Sequence, residues 1–233
     1  MPTDTSYHGG LGDHFVQLSS RHPTNMYIDR PAMLALIGDV AGLDVLDVGC
    51  GAGFYSAALV GRGAEVTGID GSEELLRYAE EAAGSRATFR HHDLEEPLPF
   101  TDASFDLAVM ALVYHHVYNR RQLLAELRRV LRPTARLLVS TTHPAGEQRW
   151  LGGSYYEGGR VDAPVGERFR INFERMTIER FVNELLDGGF VLERLLEPRP
   201  DAALRALDPA EFERLDSRAN VLTVAMRRPA SEG

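Results

Sequence analysis

Nine residues limit the folds open to this chain more than any others: Val45-Leu46-Asp47-Val48-Gly49-Cys50-Gly51-Ala52-Gly53. A short apolar run that breaks into glycines at alternate positions reads as a buried strand followed by a sharp turn. Glycine permits left-handed backbone and removes the Cβ that would hold a ligand off the main chain. Tyr55 to Gly61 then shows helical spacing, so the unit is strand, glycine loop, helix. Such a unit opens an α/β sheet, and these sheets bind ligands beyond the carboxyl ends of their strands.

The alternation continues along the chain. Asp44 to Val48, Glu65 to Ile69, Ala87 to Arg90, Phe105 to Leu112 and Arg136 to Thr141 read as strands, short and flanked by Gly, Asp or Pro. Between them, Ser72 to Ala83 reads as a helix behind a Ser cap, and Arg120 to Leu131 as one stopped by Pro133. A further helix over Thr177 to Leu186 ends at Gly188-Gly189, and strands follow at Phe190 to Leu196 and Val221 to Met226. Two segments stand outside this alternation. Residues 1–40 carry expected helices at His14 to Ser20 and Pro31 to Val40, and residues 143–176 read as a long irregular stretch rich in Gly and aromatics. Connections of that length are commonly functional.

With 233 residues and 44% hydrophobic content, one core suffices, and a single domain over 1–233 is expected. Its parts would be an N-terminal segment (1–40), a core (44–142), an inserted cap (143–176) and a C-terminal helix with strands (177–233). No apolar run approaches the ~20 residues that span a bilayer, and Met1-Pro2-Thr3-Asp4-Thr5 does not resemble a signal peptide, so a cytoplasmic protein without membrane partners is expected. Cys50 is the single cysteine, which excludes internal disulfides and cysteine-built metal sites. A net charge of -9 argues against a binder of nucleic-acid phosphates. All 25 basic residues are Arg, which excludes chemistries that need a Lys, such as Schiff-base catalysis and P-loop phosphate binding.

The dinucleotide spacing G-x-G-x-x-G is absent, because Phe54 stands three after Gly51. Acids instead mark successive strand ends: Asp47 before the glycines, Asp70 closing the second strand, and Asp93 after the third, within His91-His92-Asp93-Leu94. Each has a plain structural alternative as a loop cap, a helix cap or a turn closure. Taken together, these residues resemble the class I S-adenosylmethionine-dependent methyltransferases, and among them the small enzymes of the Methyltransf_11 type. Pro97-Leu98-Pro99-Phe100-Thr101-Asp102-Ala103-Ser104-Phe105-Asp106 and Leu127-Arg128-Arg129-Val130-Leu131-Arg132-Pro133 extend the likeness, which is strong over about residues 44–142. Thr134-Ala135 departs from it, standing where the family usually has Gly-Gly.

The resemblance implies a Rossmann-like α/β fold: a seven-stranded, mostly parallel sheet of order 3-2-1-4-5-7-6, helices on both faces, an N-terminal helical lid, and a cap inserted after strand five. It implies S-adenosylmethionine as cofactor, with S-adenosylhomocysteine as product. Asp47, Gly49, Gly51 and Gly53 would lie at its methionine end, Asp70 with Gly71 at its ribose, Asp93 and Leu94 at its adenine, and Ala111 beside it. Tyr27 and Arg30 are expected to close the lid over it, with Tyr7, His14 and Phe15 in the same segment.

After strand four, Ala111-Leu112-Val113-Tyr114-His115-His116-Val117 places two histidines where an acceptor would meet the methyl group. Histidine suits proton removal through its near-neutral pKa. His115 is the first candidate base, His116 the second and His143 the third; packing at a helix start is the alternative. No metal site is expected, since His91 and His92 leave their strand on opposite sides. Tyr114, Trp150, Tyr155 and Tyr156 are the expected acceptor contacts, with Phe169, Phe173, Arg149, Arg160, Arg168 and Arg170 around them, although these aromatics would serve equally as a mini-core. The Asn/Asp-Pro-Pro-Tyr/Phe run of the related nucleic-acid amino-methyltransferases is absent. The expectation is therefore methyl transfer to a small molecule of the secondary-metabolite kind, by a monomer or homodimer. Two rivals stay open: an enzyme of this fold repurposed for a non-methylating reaction such as a cyclisation, and a non-enzymatic binding module.

Overall fold

The computed structural model describes Val16, residues 21–165 and residues 169–230. Its strands are β1 (Asp44–Val48), β2 (Glu65–Asp70), β3 (Ala87–His91), β4 (Phe105–Ala111), β5 (Leu131–Thr142), β6 (Gly159–Val165), β7 (Phe169–Arg175), β8 (Val191–Leu196) and β9 (Val221–Arg227). Its α-helices are α1 (Arg30–Ile37), α2 (Phe54–Gly61), α3 (Glu73–Ala83), α4 (Arg120–Val130), α5 (Pro144–Leu151), α6 (Ile178–Asp187), α7 (Ala202–Leu207) and α8 (Pro209–Asp216). A seven-stranded sheet runs β3-β2-β1-β4-β5-β9-β8, and β6 and β7 form a separate hairpin. With that hairpin set aside, the arrangement is the expected 3-2-1-4-5-7-6. β1 to β5 are mutually parallel, while β9 runs antiparallel to both β5 and β8. The strand order reverses between β1 and β4, so a crevice opens above their carboxyl ends.

Side chains on a strand alternate between faces, and each strand feeds two cores. Leu46, Val48, Ala108, Met110, Leu137 and Val139 join the cluster built with α4 and α6. Val45, Leu107, Val109 and Leu138 join the one built with α1 and α2 through Met33, Ile37, Tyr55 and Leu59. By the same alternation Asp47 and Ser140 fall on the α1/α2 face, and Thr141 falls on the other. Ser72 caps α3 and Thr177 caps α6, each accepting a backbone N–H with its hydroxyl.

Several boundaries differ from the sequence reading, for identifiable reasons. Residues 143–176 are not irregular, since they hold α5 and the β6–β7 hairpin. Pro144 occupies the first turn of α5 behind the cap residue His143, and Gly152 and Gly153, both at φ of 75°, end the helix. Val161 pairs with Phe173 and Ala163 with Ile171, an alternation hidden among the glycines. β5 begins at Leu131 rather than Arg136, with a shift of register, and Thr134 adopts a φ of 68°. A β-branched residue with positive φ is strained, and Gly is the usual occupant of such a position. α1 is shorter than expected, ending at Gly38 (φ 76°), and a π turn, Asn25–Asp29, precedes it. The pair α7 and α8 was not foreseen, because helices of 6 and 8 residues carry little periodicity. Asp201 and Asp208 cap them and Pro209 opens the second, which was the available signal. Of the expected helix over 14–20 only Val16 is described, and Tyr7, His14, Phe15 and Arg168 lie outside the described residues. Among the described residues no helix is long and apolar enough to cross a membrane.

Candidate active site

The three glycines after β1 all have positive φ, yet each is required for a different reason. A Cβ on Gly49 would come within 2.5 Å of Val113, in the turn after β4, and one on Gly53 would come within 2.8 Å of the Ala79 backbone on α3. Gly51, at φ 54°, would direct a Cβ into open space. Gly49 and Gly53 therefore serve close packing, and Gly51 alone leaves a cradle that a side chain would fill. The loop is held from below by β2, whose Ile69 carbonyl accepts from Gly49 N (2.8 Å) and Cys50 N (3.0 Å). Asp70 lies beside the cradle: one carboxylate oxygen accepts from Gly51 N and the other from Ser72 N, each at 2.9 Å. Gly71 is tied in through its carbonyl, 2.9 Å from His91 Nε2.

Asp47 is only 2% exposed and accepts the Ser56 hydroxyl at 2.6 Å. Burial pushes its pKa up to about 6, the Ser56 hydrogen bonds oppose the rise and the Asp70 charge adds to it. Asp93 closes a turn, accepting from Glu95 N at 3.0 Å, and Leu94 packs against the larger core. Ala111 ends β4, and Leu112 follows with a φ of 59°, its N–H 2.9 Å from the Ser140 carbonyl. Backbone held in this region by a non-glycine residue is strained, and such positions cluster at functional sites.

The two histidines of the turn lie together, with ring centroids 4.3 Å apart. His115 is buried, with Nδ1 2.9 Å from the Thr141 hydroxyl and its ring edge-on to Phe173. His116 is half-buried, and its Nδ1 lies 3.1 Å from the Asn172 carbonyl. A carbonyl only accepts, so Nδ1 carries the proton and the lone pair falls on Nε2. Burial drives the His115 pKa well below its usual value, with the His116 and Arg160 charges adding to the effect. The His116 pKa falls to about 4, again chiefly through burial. Both rings are therefore neutral at pH 7. His143 stands apart: Nδ1 accepts from Ala145 N (3.1 Å) and caps α5, which leaves Nε2–H to donate to Glu197 at 2.7 Å. Both ring nitrogens are thus committed to structure, against the expectation of a catalytic role.

Tyr114 also departs from its expected role. It is fully buried, its hydroxyl donates to Glu184 at 2.9 Å, and its ring meets Phe181 edge-on, so it is a core residue rather than an acceptor contact. Trp150, 51% exposed, stacks on Phe173 at an interplanar angle of 5°. The Tyr155 hydroxyl accepts from Ile178 N at 3.0 Å, and Tyr156 is 84% exposed. The aromatics that gather at the histidine turn are thus Phe173 and Trp150. Arg160 fastens the hairpin to that turn: it donates to the carbonyls of His116 (2.8 Å) and Val117 (3.3 Å) and lies 3.3 Å over the Tyr118 ring. Sequence reading named Arg160 only as one arginine among several.

In the segment expected to form a lid, Arg30 lies 3.9 Å over the ring of Phe54, the first residue of α2, at the exit of the glycine loop. Tyr27 does not join it, but packs on the cluster of α7 and α8 and accepts Asp201 N through its carbonyl at 2.6 Å. Among the buried acids that the sequence did not single out are Asp29 and Glu147. Asp29 accepts the Tyr55 hydroxyl at 2.6 Å. Glu147, on α5, accepts the Thr142 hydroxyl, and burial pushes its pKa up to about 7 against the pull of Thr142 and Arg175. Neither belongs to a recurring spacing, so no sequence signal was available.

This arrangement offers a backbone cradle at a strand-order reversal, carboxylates at the ends of β1 and β2, and a neutral histidine turn walled by aromatics. The family model of a methyltransferase domain, Methyltransf_11, matches residues 46–139. The demethylmenaquinone methyltransferase of Tropheryma whipplei (strain Twist) is 36% identical over 116 residues, covering 49% of this chain and 48% of that enzyme. This chain thus spans about half the length of that relative. The 2-phytyl-1,4-naphtoquinone methyltransferase of Synechocystis is 30% identical over 162 residues, covering 64% of this chain and 67% of the relative. An S-adenosylmethionine-dependent methyltransferase from Mesorhizobium loti superposes with a TM-score of 0.71 at 26% identity, covering 90% of this chain and 100% of that one. The open cradle at Gly51, flanked by Asp70, fits the S-adenosylmethionine named for the Mesorhizobium loti enzyme, and the chain belongs to the S-adenosylmethionine-dependent methyltransferases.

Proposed function

We propose that this chain transfers the methyl group of S-adenosylmethionine to a small, flat acceptor presented at the His115–His116 turn. The observation that carries the reading is the desolvated, neutral histidine turn, where buried Phe173 packs edge-on behind both histidines and carries the half-exposed ring of Trp150 stacked on it, so that Trp150 is the aromatic face open to an acceptor. Aromatic surfaces with few polar groups suit a planar, partly apolar molecule. The two quinone-acting relatives support the same class of acceptor for this chain.

The bound cofactor supplies an already activated methyl group, which leaves the chain to align the acceptor and exclude water. Gly51 and Asp70 hold the cofactor at the β1–β2 end, while Val113 packed on Gly49 fixes the distance to the histidine turn. The hairpin, fastened by Arg160, covers that turn. For an oxygen or carbon acid, Nε2 of His116 receives the proton. The ring is neutral down to about pH 4, so activity depends on this group only at lower pH: it is retained above about 4 and lost as pH falls through that value.

Incubation with methyl-labelled cofactor and a panel of hydroquinones, phenols, amines and activated carbon acids tests the reading. Label is expected on a planar hydroxylated acceptor, with the acid limb of kcat/KM well below 6.5. Tight cofactor binding with no label moving to any acceptor would overturn methyl transfer. An acid limb near 6.5 that vanishes in His116→Gln would overturn the assignment of a desolvated base.

A further inference from the structure

Three buried side-chain polar atoms lack a hydrogen-bond partner among the described residues, and Asp29 Oδ1 is the one that belongs to an acid. Asp29 is 1% exposed, and its other oxygen accepts the Tyr55 hydroxyl at 2.6 Å. Tyr55 and Ser56 are adjacent in the first turn of α2, directly after the glycine loop, and they hold Asp29 and Asp47 respectively. Ser140, which receives Leu112 N from the end of β4, is the other hydroxyl beside Asp29. The acid therefore sits between the glycine loop and the ends of β4 and β5, over the α1/α2 face. Oδ1 has the Ser140 hydroxyl nearby but outside hydrogen-bond geometry, and burying a carboxylate with one oxygen so weakly met is costly unless a further donor or a cation reaches it. Burial holds the Asp29 pKa above the usual carboxylate range, with the Ser140 and Tyr55 hydroxyls and the Arg30 charge opposing the rise.

We propose that Asp29 is the counter-charge that receives the α-ammonium of the cofactor's amino-acid end. The cofactor carries two cationic centres, and only one of them can fill this position well. A sulfonium has no N–H or O–H to give an orphaned acceptor, whereas an ammonium supplies three donors and a charge together. The inference rests on the glycine loop lying under the methionine end of the cofactor, and it assigns this chain's lid segment a role in affinity rather than in closure alone. Asp29 is a binding residue here and takes no part in the chemical step.

The test compares two ligands on one variant. S-adenosylhomocysteine carries the ammonium; 5′-methylthioadenosine is the same nucleoside thioether without the amino acid. In Asp29→Asn, which keeps the shape and the acceptor for Tyr55, the Kd for S-adenosylhomocysteine measured by calorimetry should rise roughly 10- to 100-fold. The Kd for methylthioadenosine should stay within about twofold, which also reports that the variant is folded. Should Asp29→Asn not fold, Tyr55→Phe, which frees the oxygen that Tyr55 fixes, should weaken S-adenosylhomocysteine selectively. Equal losses for both ligands would make Asp29 a structural residue and overturn the proposal, as would unchanged affinity for both. Failure of the unmodified chain to bind either ligand would overturn the placement of the cofactor itself, a result distinct from either of these.

Discussion

Replacing Asp47 with Asn should stabilise the ligand-free protein at neutral and higher pH, by an amount that grows with pH. The carboxyl is fully enclosed, with the Ser56 hydroxyl as its close partner at 2.6 Å. Its pKa stands near 6 against an ordinary value of 3.8, and that gap is worth roughly 3 kcal/mol. The direction follows from which state holds the proton. Because the folded chain binds it more tightly, the native state loses stability as pH rises from about 3.8 through about 6, and by pH 8 the whole cost is present. Asn cannot ionise and escapes this loss. Its amide brings a fixed cost where the extra N–H finds no acceptor, about 1–3 kcal/mol, but that cost does not depend on pH. The difference in unfolding free energy between variant and parent should therefore move in the variant's favour by roughly 2 kcal/mol between pH 4.5 and pH 8. Urea unfolding of the ligand-free proteins, followed by far-ultraviolet circular dichroism at several pH values, measures it. Parallel curves, with a difference constant to within about 0.5 kcal/mol, would refute the claim that Asp47 is a desolvated, destabilising charge.

The glycine loop yields a paired prediction. Gly53→Ala drives a Cβ to 2.8 Å from the Ala79 backbone and should cost more than about 2 kcal/mol of stability, whereas Gly51→Ala should fold with a loss of about 1 kcal/mol from left-handed strain and lose cofactor affinity at least tenfold by calorimetry. Thr134→Gly should raise stability by roughly 0.5–1 kcal/mol in urea unfolding, since release of the strain at φ 68° outweighs the extra freedom of the unfolded chain. Arg160→Met should raise the acceptor KM about tenfold by freeing the hairpin from the His116 and Val117 carbonyls, with the Kd for S-adenosylhomocysteine unchanged; a shift confined to cofactor affinity would contradict the division of the site.

How much was legible in the sequence depended on whether the information was local. The parallel core was readable because each strand end carries its own punctuation: Gly49, Asp70, Asp93 and Pro133 all stand at or near such ends. The sheet order followed from the resemblance of that core and holds in the structure. The site was less readable because its partners lie far apart in the chain. Asp29 meets Tyr55 across 26 residues, and His116 meets Asn172 across 56. Tyr114 was misplaced for the same reason: nothing near it in sequence signals that Glu184, 70 residues on, takes its hydroxyl. His143 was expected in the cleft, yet Pro144 at its side already offered the competing reading of a helix cap.

The pleat of β1 and β5, which flank β4, explains why the buried acids and the histidine turn fall on opposite faces of the sheet. Asp47 on β1 and Ser140 on β5 point to the face covered by α1 and α2, where Ser56, Tyr55 and Asp29 complete an acidic, hydroxyl-lined enclosure. Thr141, one residue further along β5, points the opposite way and takes His115, around which Phe173 and Arg160 assemble the cap. A negative enclosure favours a cationic ligand end, and a desolvated neutral turn favours an uncharged planar one. The polarity of the crevice thus changes across one residue step of a strand, and a one-residue slip in β5 would exchange the two environments. The bulge between Phe105 and Leu107 on β4 and the left-handed Thr134 lie at the opposite end of that strand pair, where register is set before the chain reaches Ser140 and Thr141.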